Sequence, residues 1–118
     1  MNIFFEYPKC TTCKKAKKFL DENNIEYVDR NIKLDKPSYD ELKEYFKESN
    51  LDINKLFNTS GLVYKELSLR EKLVNMSVEE KLKLLASDGM LVKRPIFVSN
   101  NKTYFGFKEI EWEKIKED

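Results

Sequence analysis

The feature that most constrains this chain is its only pair of cysteines, Cys10 and Cys13, which are separated by two threonines. An apolar run at residues 3–5 precedes the pair, and apolar residues at helical spacing follow it. A strand is therefore predicted to deliver Cys10 to the first turn of a helix. Unpaired backbone N–H groups and the positive end of the helix dipole favour a negative sulfur at that position.

The residues around the pair point to the same chemistry. Lys9, Lys14 and Lys15 are cations that stabilise a thiolate on Cys10. Cys13 lies three residues further along the same helix face and can reach Cys10 to form a disulfide. Redox or nucleophilic cysteine chemistry is therefore the leading interpretation of this motif.

Three other interpretations of the cysteines compete with it. Zinc needs about four ligands, so two thiolates in a chain without histidine would bind it only across an oligomer. A structural disulfide would close a very short loop and would add little to stability through chain entropy. Two inert thiols remain open as well, because free cysteine is often a small buried hydrophobic residue.

Composition narrows the function classes. The 118 residues fit one domain, and 22 basic against 21 acidic residues give a net charge of +1, which does not suggest direct nucleic-acid or membrane binding. No run approaches the roughly 18 apolar residues of a membrane span, and the start of the chain lacks a signal-peptide pattern. We therefore expect a cytosolic, monomeric protein with no bound metal or cofactor. The absence of histidine excludes catalysis by that side chain.

The predicted order of elements begins with a βαβ unit. Residues 2–6 indicate a buried strand and residues 11–23 a helix, while Ile25, Tyr27 and Ile32 mark a second strand. Two strands joined by a helix over so few residues are expected to be parallel.

A helical block follows the βαβ unit. Serine followed three residues later by glutamate predicts capped helix starts at Ser38 and Ser77, the second helix being stopped by Asp88 and Gly89. A short helical piece is expected at 52–57 and a turn near 70–74.

The end of the chain predicts a hairpin and a helix. Segments 95–98 and 103–106 flank a polar turn. The last helix, at 108–116, is expected to pack through Ile110, Trp112 and Ile115. The fold class is thus α/β, a mixed sheet in βαβ and ββα halves with a helical insert, divided as 1–34, 35–93 and 94–118 within a single domain over 1–118.

Three stretches carry a family resemblance: the CTTC motif at 10–13, FNTSGLVYKEL at 57–67 and LASDGMLVKRPI at 85–96. Together they resemble the arsenate reductase/Spx family of the thioredoxin-like superfamily, most closely its CxxC-containing arsenate-reductase-like members. The resemblance implies that Cys10 is the nucleophile, that Arg94 faces its thiolate and that Pro95 follows a cis peptide bond. The residues expected to contact an oxyanion or substrate are Thr11, Thr12, Asn58 and Pro95.

The chain also departs from the pattern that the resemblance implies. Arsenate reductases coupled to glutathione and glutaredoxin place three arginines around the oxyanion, and here the first position is occupied by Asn58 and the last falls near Gly106. Arg94 alone remains, with Lys65 or Lys108 as further sources of charge. Because each lost charged contact weakens transition-state stabilisation by roughly 2–4 kcal/mol, we expect arsenate reduction to be inefficient.

Two functions follow as hypotheses. In the first, the protein is a thiol–disulfide oxidoreductase in which Cys13 resolves the adduct formed on Cys10, with glutathione and glutaredoxin, bacillithiol or thioredoxin as the external reductant. In the second, which the resemblance to Spx implies, the pair is a redox switch that controls contact with the alpha subunit of RNA polymerase. The first hypothesis is preferred.

Overall fold

The computed structural model describes residues 1–117, which contain one four-stranded mixed sheet. The strand order across the sheet is β2-β1-β3-β4, with β1 and β2 parallel and the other neighbours antiparallel. The predicted α/β class and the βαβ…ββα order are confirmed. The strands are β1 (Ile3–Glu6), β2 (Val28–Asn31), β3 (Ile96–Ser99) and β4 (Lys102–Phe105).

Six α-helices surround the sheet within residues 1–117: α1 (Thr11–Glu22), α2 (Tyr39–Ser49), α3 (Leu62–Glu66), α4 (Leu69–Lys72), α5 (Val78–Ser87) and α6 (Glu109–Trp112). Short 3-10 turns lie at Ile53–Leu56, Leu73–Asn75, Gly89–Leu91 and Glu113–Glu117. None of the described helices is long and apolar enough to cross a membrane.

Both predicted capping boxes are confirmed. The side chain of Ser38 accepts a hydrogen bond from the N–H of Glu41, and the carboxylate of Glu41 accepts one from the N–H of Ser38. Ser77 and Glu80 form the same reciprocal pair at the start of α5. Each box satisfies backbone donors that a helix start leaves without intrahelical partners.

Successive side chains of β1 point to opposite faces of the sheet, and each face carries its own part of the hydrophobic core. Phe4 packs on one face with α1 and with Trp112, whose indole N–H donates to the carbonyl of Gly106 at 3.1 Å. Phe5 packs on the other face with the helices between β2 and β3. The sheet therefore holds the start of α1 and the β3–β4 hairpin in fixed positions relative to each other.

The insert is attached closely to the end of β2. A Cβ atom built on Gly89 would lie 1.8 Å from the carbonyl oxygen of Ile32, so only glycine allows this approach. Nearby, the guanidinium of Arg30 contacts the Glu41 carboxylate at 2.7 Å and covers the ring of Phe5, with its Cζ 4.3 Å from the ring centroid. Backbone proximity and an ion pair both join the insert to the βαβ unit.

Several local predictions were wrong. Strand β2 begins at Val28, so Ile25 and Tyr27 precede it and pack against the core from a loop. The segment predicted as a turn near 70–74 is helical. Ile110 is 82% exposed, whereas Trp112 and Ile115 are buried as predicted. Alternation of apolar residues marked the right region of the second strand but misplaced its start by three residues.

Candidate functional site

Cys10 occupies the N-cap of α1, at the end of the turn that leaves β1. Its backbone N–H donates to the carbonyl of Tyr7 at 3.0 Å, and its carbonyl accepts from Lys14 at 3.1 Å. Its sulfur accepts a hydrogen bond from the backbone N–H of Cys13 at 3.2 Å. An N-cap side chain normally satisfies such an amide with oxygen, and here sulfur takes that role. The helix start therefore directs a donor at the Cys10 sulfur.

Cys13 lies directly behind Cys10 and has no exposed surface. Burial raises the pKa of the Cys13 thiol to about 12, and the hydrogen bond with Cys10 acts in the same direction. The Tyr7 backbone and the charge of Arg94 oppose this rise in pKa. At neutral pH Cys13 is thus a protonated thiol, while Cys10 is the cysteine that is partly exposed.

A cavity of about 530 Å³ opens in front of Cys10. Its wall comes from four parts of the chain: the start of α1, the loop before α3, the segment before β3 and the segment after β4. The lining residues are Cys10, Thr12, Asn58, Ser60, Gly61, Leu62, Met90, Lys93, Arg94, Phe105, Gly106, Phe107 and Lys108. The mixture of cations and apolar side chains suits an anionic ligand that also carries an apolar part.

The backbone holds the separate walls of this cavity together. Phe57 and Val92 form an antiparallel bridge, and the N–H of Asn58 donates to the carbonyl of Leu91 at 2.8 Å. The N–H of Lys93 donates to the carbonyl of Leu56 at 2.7 Å. These bonds place Asn58 and the segment leading to Arg94 side by side, although they are distant in sequence.

Arg94 is the guanidinium of the cavity. Its Cζ lies 5.4 Å from the centroid of the Tyr7 ring, and the Arg94–Pro95 peptide bond is cis, as the family resemblance implies. The Nε and Nη1 atoms of Arg94 are buried without a hydrogen-bond partner within the described part of the chain. Buried donors are normally paired, so this guanidinium has unused capacity for an anionic acceptor.

The structure brings most of the predicted site residues together. Cys10, Thr12, Asn58 and Arg94 line one cavity, with Cys13 behind Cys10. Thr11 is exposed on α1 and Pro95 is buried, and neither lines the cavity, so their predicted contacts with a substrate stay predictions.

The positions of the two absent arginines also line this cavity. Asn58 and Gly106 both contribute to the wall, as does Lys108, whereas Lys65 lies on α3 outside it. Lys93 also lines the cavity but was not predicted as a site residue. Its aliphatic chain passes close to Gly106: a Cβ atom built on that glycine would lie 3.0 Å from the Cε of Lys93. The only sequence signal for Lys93 is its position beside Arg94.

A second polar cluster lies at the end of β1. The Lys17 ammonium contacts the Asp29 carboxylate at 3.2 Å and the Glu6 carboxylate at 3.8 Å, and it donates to the Tyr27 hydroxyl at 2.8 Å. Burial raises the pKa of Glu6 to about 7, and a hydrogen bond with Asp29 contributes, while Lys17 opposes the rise. Glu6 therefore titrates near neutral pH. Within residues 1–117, no group of three or more cysteine, aspartate or glutamate side chains could hold a metal ion.

Comparison with known families identifies the family of the chain. The model of the ArsC family matches residues 5–115. The chain belongs to the ArsC family. This family assignment is the one that the three sequence stretches predicted.

Individual relatives cover nearly the whole chain. It is 51% identical to YusI of Bacillus subtilis (strain 168), over 94% of both proteins. It is 33% identical to the regulatory protein MgsR of the same organism, over 95% of this chain and 87% of MgsR. Relatives in this family therefore include a protein named as a regulator.

Solved structures give the same fold. An ArsC family related protein from Bacteroides fragilis superposes with a TM-score of 0.94 and 53% identity, covering 97% of this chain and 96% of the other. A possible arsenate reductase from Streptococcus mutans UA159 superposes with a TM-score of 0.88 and 40% identity, covering 96% and 98%. The described architecture is thus that of an ArsC-family protein.

Proposed function

We propose that this protein is a cytosolic thiol–disulfide oxidoreductase in which Cys10 is the nucleophile and Cys13 the resolving thiol. The observation that carries the proposal is the arrangement of the two sulfurs. Cys10 is partly exposed, lines the cavity and accepts a hydrogen bond from the Cys13 amide, while the fully buried Cys13 lies behind it. An external substrate can reach the first sulfur, and only the first sulfur can reach the second.

The proposed reaction consists of two successive displacements at sulfur. The Cys10 thiolate attacks one sulfur of a substrate disulfide, forms a mixed disulfide and releases the other half as a thiolate. Cys13 then attacks the Cys10 sulfur, forms the Cys10–Cys13 disulfide and transfers its proton to the second departing thiolate. The substrate disulfide gains two electrons and the cysteine pair loses two. A small thiol or a thioredoxin-type protein would restore the dithiol.

Arsenate is a second substrate class for the same site. The S. mutans relative described as a possible arsenate reductase supports this assignment, as does the unpaired capacity of the Arg94 guanidinium. Asn58 and Gly106 stand where the resemblance implies two further arginines, and Lys93 and Lys108 supply point charges without a planar fork. We therefore expect arsenate turnover to be slow compared with disulfide exchange.

Substitution of each cysteine tests the mechanism. Cys10→Ser should lose at least about a thousandfold in the rate of reaction with a small neutral disulfide, because the exposed nucleophile is removed. Cys13→Ser should react once and stop as a mixed disulfide, since no internal thiol can release the adduct. Intact-protein mass spectrometry measures both outcomes.

Each variant needs a folding control, because Cys13 is buried. Circular dichroism and thermal unfolding should show that both serine variants keep the native fold. Retention of the parental rate by folded Cys10→Ser would contradict the mechanism. Complete turnover by folded Cys13→Ser without a trapped adduct would remove Cys13 from the resolving role.

A redox-sensing regulator is the second candidate. The relative named regulatory protein MgsR and the resemblance to Spx favour it, because the same cysteine pair can act as a switch without turnover. The partner would be the alpha subunit of RNA polymerase. Affinity capture with the purified alpha subunit, using the reduced and the oxidised protein in parallel, tests this function. Absence of binding in both redox states would exclude it.

A further inference from the structure

A second cavity, of about 580 Å³, adjoins the one in front of Cys10. The two share Lys93, Phe105 and Lys108, so they are neighbouring parts of one surface region. From Cys10 it runs past the end of β4 and then along that strand, toward Lys102. We call the part formed by the second cavity the basic groove. Any ligand lying in it would have one end close to the Cys10 cavity.

Positive charge is concentrated in this groove. Five lysines line it, against a single acid, Glu111. All five are exposed, and within residues 1–117 none of them takes part in an ion pair. The whole chain has a net charge of only +1, so this is a local excess of charge. The lysines are Lys55, Lys93, Lys102, Lys108 and Lys114.

The backbone of β4 adds a second binding element. β4 is the last strand of the sheet, and the N–H of Gly106 donates to the carbonyl of Pro95 at 2.8 Å. In an antiparallel pair the bonded residues alternate, so the peptide groups of Thr103 and Phe105 point away from β3, toward the open edge. An extended polypeptide can pair with such an edge.

We infer that the basic groove binds the acidic segment of a disulfide-containing polypeptide, placing its disulfide at Cys10. The inference rests on the proposed function and names the substrate class of the same site. A polypeptide is favoured over nucleic acid because the groove combines a strand edge, which can pair with an extended backbone, with a neighbouring reactive thiol, which needs a disulfide in its ligand. The chemical step is the two-electron exchange described above, with the polypeptide as the disulfide that is reduced.

A matched set of peptides tests the inference. Each carries one cysteine in a mixed disulfide with 2-thiopyridine, and the flanking residues are glutamates, glutamines or lysines. Attack by Cys10 of the reduced full chain releases pyridine-2-thione, whose absorbance gives the rate constant. We expect the glutamate peptide to react at least about tenfold faster than the glutamine peptide at low salt. That difference should largely disappear at about 0.5 M salt.

Charge-reversal variants test whether the basic groove causes the faster reaction of the glutamate peptide. Lys102 and Lys114 line the basic groove but not the cavity in front of Cys10, so Lys102→Glu/Lys114→Glu should abolish or invert the preference for glutamate flanks. Lys33→Glu/Lys72→Glu is the matched control, because it makes the same change in net charge at exposed lysines outside both cavities. The control should keep the parental ratio of rates.

The outcomes distinguish a failure of the proposed function from a failure of the groove assignment. If no peptide reacts with Cys10, the proposed function fails, and the inference fails with it. If all peptides react at one rate, or if the preference survives in the groove variant, the function stands and the groove assignment is wrong. Tighter binding of an oligothymidylate than of the glutamate peptide, measured by competition, would assign the groove to nucleic acid and overturn the inference.

Discussion

Arg94 combines burial and unused hydrogen-bonding capacity at the scale of a single residue. Two of its guanidinium nitrogens are buried without a partner within residues 1–117, and its planar group lies beside the ring of Tyr7. A buried donor without an acceptor is unfavourable, so this arrangement is poised for a ligand that supplies one. An anion bound in the cavity would lie close to Cys10 and complete the set of hydrogen bonds.

Charged and neutral alkylating agents can test this role. Arg94→Met should lower the rate of Cys10 alkylation by iodoacetate about tenfold more than the rate with iodoacetamide, a difference of about 1.4 kcal/mol. The physical reason is that only iodoacetate carries a carboxylate for the guanidinium. Rates are measured by mass spectrometry of the intact protein.

The control for this experiment is Lys72→Met, which removes one positive charge at an exposed position outside the cavity. It should leave the ratio of the two alkylation rates at the parental value. An equal fall with both reagents in Arg94→Met would show that the guanidinium acts on the sulfur alone and does not bind an anion.

Sequence reasoning identified the reactive residues but not the whole cavity. Cys10, Cys13 and Arg94 belong to short motifs, so their types and spacing are visible in the sequence. Met90 and Lys93 enter the wall only because the segment before β3 lies beside the loop before α3. That adjacency is a tertiary contact, and no local pattern reports it.

At the scale of elements, the junction between β2 and the insert depends on Gly89. Gly89→Ala should lower the free energy of unfolding by about 3 kcal/mol or more, because the new methyl group would collide with the backbone oxygen of Ile32. Urea unfolding measures the loss.

Gly61→Ala is the matched glycine control for Gly89→Ala. Its new methyl group would lie 2.6 Å from the amide nitrogen of the Asn58 side chain, which can move aside, and 3.1 Å from the Asn58 carbonyl oxygen, a much looser backbone approach than the 1.8 Å at Gly89. Gly61→Ala should therefore lower the free energy of unfolding by less than about 1 kcal/mol. Equal losses in the two variants would contradict a special role for the Gly89 approach.

Prediction of the elements succeeded where local chemistry defines a boundary. The capping boxes at Ser38 and Ser77 fixed two helix starts, and the polar turn between β3 and β4 fixed the hairpin. The start of β2 was missed, because Ile25 and Tyr27 look like alternating strand residues in the sequence. In the structure they lie in the loop before β2 and pack against the core from there. The burial of Ile110 was also predicted wrongly, since the short α6 turns that side chain toward solvent.

At the scale of the whole molecule, stability should respond to the ionisation of Glu6. Its side chain is 14% exposed and its pKa is raised from 4.5 to about 7, chiefly by burial. Between pH 4.5 and about pH 7, Glu6 is protonated in the folded protein but has lost its proton in the unfolded chain. The contribution of protonated Glu6 to the free energy of unfolding is therefore fully present below about pH 4.5, and it is lost as the pH rises through about 7.

Urea unfolding across this pH range tests the linkage. The free energy of unfolding should fall by about 1–3 kcal/mol between pH 5 and pH 8 through this group. Glu6→Gln mimics the protonated carboxyl, so it should remove that slope and be more stable than the parent at the higher pH. Glu26→Gln, at an exposed position, should keep the parental slope. A parental slope in Glu6→Gln would show that the pH dependence does not arise from Glu6.

The complete burial of Cys13 also has a consequence for oxidative damage. Cys10 is the one thiol that a peroxide meets on entering the cavity, because Cys13 is buried, and a sulfenic acid formed on Cys10 has Cys13 as its closest thiol. Condensation of the two yields a disulfide and water, which stops the oxidation before the irreversible sulfinic stage. A protein built in this way converts exposure to a strong oxidant into a state that ordinary cellular thiols can repair.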